Sequence, residues 1–448
     1  MELKSSSKWA TLTVAGSAQF LVLLESTVIT VAIPDIGSHL GDDGWLPWVL
    51  SGYLLAFGGL LLPGGVWADR FGQRRIFFTG LTGFAISSVL CALAPSISLL
   101  VGARALQGAA AGVLAASALG VVLTRYEAER ERAVAMTVWS TLGVIGAVVG
   151  SLAAGPVIAW LGWPGVFWIN IAAVAVLFPF AWRSIQLTHQ DKTGSAPPVT
   201  AALVAALGAA TVLAGLSISE VRPIPGVIVA VVGVTIIVAV FRHQLTASRP
   251  ILPVQLFRSP AYRVAAAGLF LANGLMVATM FAYSQHLQNG YLLTAQTASF
   301  AVLPMALASL VVAFTTDSLI ARLGEQAVLR IGAGFLLGGS LSFLLVTTAS
   351  VSWGYLVVAG ILVGAGMPAC FVVLNRRAFS SVPAALSGAA SGFTNTVTTL
   401  GGATVVALTA LGSVFAQQIG AYTVLAITAA LIGVLAMSRS GTASTTSD

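Results

Sequence analysis

Fourteen apolar runs of spanning length occupy most of this sequence and leave little else for the chain to fold into. They lie near residues 9–33, 45–67, 76–95, 98–124, 133–159, 165–183, 199–218, 224–241, 263–286, 293–316, 327–348, 353–375, 384–412 and 418–438. A run of about 20 apolar residues crosses the hydrocarbon core as an α-helix, the form in which a single segment satisfies its own backbone in lipid. The expected fold class is therefore an all-α polytopic membrane protein. Composition agrees, with 57% hydrophobic and 8% charged residues, against about 25% charged in a soluble chain. The formal net charge of +7 does not point to nucleic acid. Its basic residues fall in short groups between apolar runs, not along one face.

Those basic residues set the orientation, because cytoplasmic loops collect Lys and Arg. With the N-terminus inside, Lys4 and Lys8 start on the cytoplasmic side. Arg70, Arg74 and Arg75 fall between the second and third runs, and Arg125, Arg130 and Arg132 after the fourth. Arg183 and Lys192 follow the sixth run, and Arg242, Arg249, Arg258 and Arg263 surround the loop after the eighth. Arg322, Arg330, Arg376, Arg377 and Arg439 complete the set. Of the 21 Lys and Arg, only Arg222 falls outside and only Arg104 lies deep within a run. A wrong span count would scatter these charges, so both termini are placed in the cytoplasm. The flank "MELKSSSKWA" leads into a run too long for a cleaved signal peptide and reads as the start of an uncleaved anchor.

The runs group into an N-terminal six-helix bundle over 1–183, a cytoplasmic linker over 184–198, and two extra transmembrane helices over 199–241. A cytoplasmic loop over 242–262, a C-terminal six-helix bundle over 263–438 and a polar, disordered tail over 439–448 complete the chain. Pro223 and Pro225 mark the turn between the two extra helices. A short echo links the halves: "ADRFGQ" (Ala68 to Gln73) follows the second run and "IARLGE" (Ile320 to Glu325) the tenth. Duplicated halves are common in secondary transporters, where substrate sits between repeats. The two cysteines, Cys91 and Cys370, fall inside apolar runs with no metal spacing and no disulfide framework, and read as packing residues.

Charge deep inside the runs is confined to two residues. Glu25 is the one acidic residue of 14 deep in an apolar run, and Arg104 is its single basic counterpart. Either would cost about 3 kcal/mol or more at a bilayer centre, so both should face the protein and find partners. At 1.5 Å per residue, Glu25 lies about 12 Å below the outer end of its helix, and Arg104 about 9 Å below the same surface. The two should therefore meet. One reading is a permanent ion pair that fixes packing. The other is a carboxylate that titrates, because burial disfavours its charged form while a guanidinium favours it, and Arg104 stays charged throughout.

Three further stretches carry a pattern. In "GVWADRFGQRR" (Gly65 to Arg75), an acid and a glycine turn stand among arginines at a helix end, as in a cytoplasmic charge-cluster gate. "GVIGAVVGSLAAGP" carries Gly143, Gly146, Gly150, Gly155 and Pro156, whose small residues let helices approach closely. Spacing alone does not separate a packing face from a hinge there. Asn170, Asn273, Asn375, Thr394 and Asn395 are polar groups in or near the runs. Phe20, Tyr53, Trp139, Phe270, Phe281, Tyr283 and Phe393 are aromatic candidates to line a substrate cavity. His286, near the outer end of the ninth run, reads as an exposed loop-end histidine.

These segments resemble those of the major facilitator superfamily, specifically its fourteen-helix drug:proton antiporters. "GVWADRFGQRR" resembles the loop motif G-x-x-x-D-R-x-G-x-R, which carries over to Gly65, Asp69, Arg70, Gly72 and Arg74. "RALQGAAAG" resembles the fourth-helix motif R-x-x-Q-G and marks Arg104, Gln107 and Gly108, the Arg being associated with proton coupling. "GAVVGSLAAG" resembles the fifth-helix antiporter motif G-x-x-x-G-P-x-x-G-G through Gly146, Gly150 and Gly155, with Ser151 where Pro is expected and Ala154 where Gly is expected. "LLESTVITVAIP" is similar to L-D-x-T-I-V-N-V-A-L-P, with Glu25 in place of Asp and Thr30 in place of Asn. "RPILPVQLFRSPAYR" (Arg249 to Arg263) is similar to the loop after that group's extra helices.

The resemblance implies two six-helix bundles with two extra transmembrane helices between them, and a secondary active transporter, not an enzyme. Its expected activity is proton-coupled export of amphipathic drugs, antibiotics or lipophilic cations by alternating access, with Glu25 as the protonation site. A dedicated metabolite exporter or a proton-coupled importer of the same fold is the alternative. No cofactor and no metal are expected beyond the proton gradient. The expected partners are the substrate, protons and the lipid bilayer, with no nucleic acid. The expected form is a monomer in a bacterial plasma membrane.

Overall fold

A computed structural model describes residues 2–41, 45–126, 129–185, scattered positions between 204 and 218, then 223–246, 254–346, 353–380, 382 and 387–437. Among them all regular structure is helical. In chain order the helices are α1 (Glu2–Leu40), α2 (Leu46–Phe71), α3 (Gln73–Ala92), α4 (Ile97–Arg125), α5 (Glu129–Leu161) and α6 (Gly165–Ser184). They continue as α7 (Pro223–Thr246), α8 (Pro260–Gln285), α9 (Ala295–Leu323), α10 (Glu325–Val346), α11 (Trp353–Ser380) and α12 (Ser387–Met437). A 3₁₀ turn, Val254–Arg258, precedes α8 and a π turn, His286–Gly290, follows it. Proline begins α7 and α8, where the missing N–H has no partner to lose. Pro63, Pro156, Pro304 and Pro368 lie inside helices, which membrane bundles tolerate because neighbours re-satisfy the freed carbonyl.

Eleven helical stretches among the described residues are long and apolar enough to cross a membrane. Two shorter ones, Leu46–Leu61 and Val231–Gln244, fall on the expected runs at 45–67 and 224–241. The expected run at 199–218 lies largely outside the described residues, as do most of the linker at 184–198 and the tail at 439–448. Gly208, one of the described positions there, packs on Gly233 of α7. Helical backbone runs through all 51 residues of α12, yet the chain doubles back within it. In a straight helix Gly412 and Gly420 would stand about 12 Å apart, whereas a Cβ on Gly420 would overlap the Gly412 carbonyl. The spans Phe393–Ser413 and Gln418–Met437 are therefore arms of a tight helical hairpin with glycine at its closest point.

The chain gathers into two compact units. One comprises Met1–Ile251 with Tyr283–Leu303, the other Leu252–Ala282 with Pro304–Asp448. Within the first, Gln288 Nε2 donates to the Val31 carbonyl at 3.1 Å and to Ser284 Oγ at 3.0 Å.

Each unit is built on the same glycine contacts. In the first, Gly108 of α4 lies on the Tyr53 backbone of α2, and Gly146 of α5 on the Phe20 backbone of α1. In the second, Gly364 of α11 lies on the Met305 backbone of α9, and Gly401 of α12 on the Phe270 backbone of α8. At each position an added Cβ would fall on the facing carbonyl oxygen. The turns joining paired helices match as well. Gly72 (φ +98°) and Gly324 (φ +82°) both take a left-handed backbone that favours glycine. Their N–H groups close the preceding helices on Ala68 and Ile320 at 3.0 and 2.9 Å. Both carbonyls then open the next helix, accepting from Ile76 and Val328 at 3.2 Å. The sequence echo at "ADRFGQ" and "IARLGE" is thus one repeated turn.

Candidate functional site

Glu25 and Arg104 have no exposed surface, and they are the only Asp, Glu, Lys or Arg residues fully buried among the described residues. A charge pair inside an apolar bundle needs fixed partners for most of its hydrogen-bonding capacity, and here Arg104 Nη2 is left without one among the described residues. α1 and α4 supply the pair: Arg104 Nη1 donates to Glu25 Oε1 in a short ion pair. The same nitrogen donates to Gln107 Oε1 at 2.6 Å, and Arg104 Nε donates to the Val49 carbonyl of α2 at 2.9 Å. Gln107 passes the network to α3, through Nε2 to Ser88 Oγ at 2.8 Å and by accepting from Cys91 Sγ at 3.6 Å. On the other side, α6 contributes Asn170, whose Nδ2 donates to Glu25 Oε2. Tyr53 and Phe167 flank the guanidinium with ring centroids 4.3 and 5.8 Å from its Cζ, where their negative faces favour the cation.

The glycine contacts bring these helices close enough to meet. Gly108 follows Gln107 directly, and its contact with Tyr53 seats α2 against the guanidinium. Gly112, one turn on, lies on the Phe57 backbone. On α5, Gly143 faces Gln19 and Leu23, Gly146 faces Phe20, and Gly150 faces Leu24 and Thr27 Oγ1. Thr27 Oγ1 also donates to the Ala147 carbonyl at 3.0 Å. The α5 glycine face therefore packs along the turns of α1 that bracket Glu25. Gly155 is buried beyond these contacts.

A family model described as Major Facilitator Superfamily matches residues 15–406. The chain belongs to that superfamily. It is 32% identical over 427 residues to the cephamycin export protein CmcT of Amycolatopsis lactamdurans, covering 92% of this chain and 86% of that one. It is 33% identical over 416 residues to the puromycin resistance protein pur8 of Streptomyces alboniger, covering 90% and 81%. Among solved structures, the POT family transporter PepTSo superposes with a TM-score of 0.69 at 14% identity, covering 95% of this chain and 97% of that one. That likeness is one of fold. Family, fold and apolar helices together make the chain a multi-pass membrane transporter.

Elsewhere in this superfamily member the sequence-predicted residues scatter. At the end of α2, Gly65 has open space about its Cα and the Asp69 side chain lies outside what the structure describes, while Gly72 forms the turn described above. Arg70 stacks on Phe71, with Cζ 5.3 Å from the ring centroid. Arg74 donates to the Trp182 carbonyl at 3.1 Å and stacks on the Trp182 ring at 4.6 Å, tying α3 to α6. A second charged cluster joins α9, α10 and α11: Arg376 lies 3.9 Å from Asp317 and 4.0 Å from Glu325, and Arg377 3.8 Å from Glu325.

The aromatic and amide candidates divide between the two units. Tyr53 belongs to the Glu25 network, and its hydroxyl donates to the Val22 carbonyl at 3.4 Å. Phe20 lies half-buried at the Gly146 contact, and Trp139 is buried with its Nε1 unpartnered among the described residues. Asn273 Nδ2 donates to the Thr398 carbonyl at 2.8 Å. Phe393 meets Phe257 edge-on at 5.2 Å, and Asn395 is half-buried. His286 is a correction: it is 7% exposed, because the chain continues past α8 into the π turn and Tyr291 stacks on the imidazole at 5.3 Å.

Sequence reasoning found Glu25 and Arg104 but noted Asn170 only as a polar group in a run and left Ser88 out. The missed signal for Asn170 was positional. It is the one carboxamide in α6, five residues from that helix's start, about 8 Å along its axis. That is the depth already estimated for Arg104.

Proposed function

We propose that this chain is a proton-coupled antiporter that exports amphipathic drugs or antibiotics, with Glu25 as the residue that takes and gives the proton. The observation that carries the reading is the Glu25 carboxylate itself, fully buried and divided between Arg104 on one oxygen and Asn170 on the other. An ion pair so placed contributes little net stability, so a purely structural role leaves its presence unexplained. The names of the relatives, a cephamycin exporter and a puromycin resistance protein, support export of organic molecules.

In the proposed cycle, the inward-facing protein holds Glu25 ionised and binds substrate. It turns outward, a proton binds Glu25, and substrate leaves. Protonation removes the charge that Arg104 faces, so the two forms of Glu25 favour different arrangements of α1 and α4, and differential binding of this kind is what shifts a conformational equilibrium. Arg104 keeps its charge and assists return of the proton to the cytoplasmic side. One proton per cycle makes exchange electroneutral for a monovalent cation and electrogenic for a neutral drug.

Proteoliposomes with an imposed pH gradient test the reading. Wild type should accumulate substrate against its gradient, whereas Glu25→Gln should carry substrate only downhill. Uphill accumulation by Glu25→Gln at the wild-type rate contradicts the proposal. Acidification of the lumen together with substrate uptake would mark an importer instead.

A further inference from the structure

We infer that Asn170 is the positioning residue that serves Glu25 in both of its protonation states, by turning its amide from donor to acceptor. This inference rests on the reading of Glu25 as the proton site. In the arrangement described, both carboxylate oxygens accept, Oε1 from Arg104 Nη1 and Oε2 from Asn170 Nδ2, which suits the ionised acid. When a proton binds Oε2, that oxygen carries an O–H and needs an acceptor. Arg104 has donors only and cannot supply one.

The groups facing Glu25 narrow the choice further. α4 presents Arg104, and α2 presents Tyr53, whose hydroxyl donates to the Val22 carbonyl and makes no hydrogen bond with the carboxylate. The membrane stretch of α5 contains no titratable residue, and Asn170 is the polar side chain that α6 places on the carboxylate. Cys91 of α3 reaches the network only through Gln107. The remaining acceptor at hand is Asn170 Oδ1, which is buried and has no partner among the described residues. A half-turn of the amide about its last bond exchanges Nδ2 for Oδ1 at nearly the same place. The proton then sits on Glu25 Oε2 and is donated to Oδ1, and the donor bond given up is replaced by the acceptor bond formed. An unsatisfied buried O–H is thereby avoided. The side chain is fully buried, so bulk water does not compete for either role.

Difference infrared spectroscopy across a pH titration of the purified full chain in lipid nanodiscs tests this. Wild type should show the carbonyl band of a protonated carboxylic acid that grows on acidification and is lost in Glu25→Gln. In Asn170→Leu, checked for folding by size exclusion and thermal melting, the band should move to higher frequency as the acid loses its acceptor. Should that variant not fold, Asn170→Ala gives the same readout. A band at the wild-type frequency in the folded variant overturns the role of Asn170. Absence of any Glu25-dependent band in wild type overturns the proton-site reading instead, so the two failures are distinguishable.

Discussion

The two units share a frame and differ in what they bury inside it. Phe20 and Phe270 each meet a glycine of a later helix, as do Tyr53 and Met305. Glu25 lies five residues beyond Phe20, and the residue five beyond Phe270 is Leu275, fully buried. Arg104 lies four residues before Gly108, and four before Gly364 stands Gly360. Gln107, one before Gly108, is matched by Val363, also fully buried. At the corresponding sites one unit therefore carries an ion pair with its network and the other apolar residues. Inside the second unit the polar contacts are neutral, such as Tyr262 Oη with Thr394 Oγ1 at 2.9 Å and Asn273 with the Thr398 carbonyl, and its ion pairs at Arg376 and Arg377 join side chains that keep exposed surface. The frame does not require the charge, which is why its presence in one unit points to function.

The comparison breaks most sharply at Arg104. Arg104→Leu leaves the Glu25 carboxylate buried without its counter-charge, and loss of one partner of such a pair costs about 3–5 kcal/mol. Thermal melting in detergent should fall steeply. The double variant Glu25→Leu with Arg104→Met makes the first unit resemble the second. It should recover most of the lost stability, because apolar replacement of both partners is often close to neutral, while uphill transport stays abolished. A double variant as unstable as Arg104→Leu would show that the frame depends on the charge.

The glycine contacts offer the next largest effect. Gly108→Val and Gly364→Val each drive a side chain into a facing backbone, and overpacking costs about 1–3 kcal/mol. Similar losses of melting temperature are expected in both. Only Gly108→Val, adjoining Gln107, should also change the pH dependence of transport, and equal changes from both would remove the asymmetry. Lys8→Ala should do least. Lys8 pairs with Glu131 at 2.7 Å, but the two side chains are 36% and 52% exposed, and such pairs contribute under about 1 kcal/mol. Melting should barely move.

Much of this asymmetry can be read from the residues themselves. Two charges at matched depth in long apolar runs announce their own contact, since a charge in lipid must find a partner. Asn170 lacked that signal, because a neutral amide at mid-span costs less and fits a cavity wall as well as a carboxylate. The glycine contacts were hidden for another reason. Motif resemblance singles out Gly108 and Gly146 among the 47 glycines of the chain, but it does not name the Tyr53 and Phe20 backbones that they meet, nor Gly364 and Gly401. His286 was misjudged because nothing at the end of an apolar run reveals that the next residues coil into a π turn and bury the ring. The turns at Gly72 and Gly324 were legible, since their shared flanking pattern repeats a backbone that favours glycine.

Substrate-induced proton release tests the central claim most directly. Transport substrate is added to purified protein in weakly buffered detergent solution, and the pH is followed with a dye. Wild type should release protons on binding substrate at a pH where Glu25 is protonated, and Glu25→Gln should bind substrate and release none. Release from Glu25→Gln equal to that of wild type would place the proton elsewhere and contradict the account.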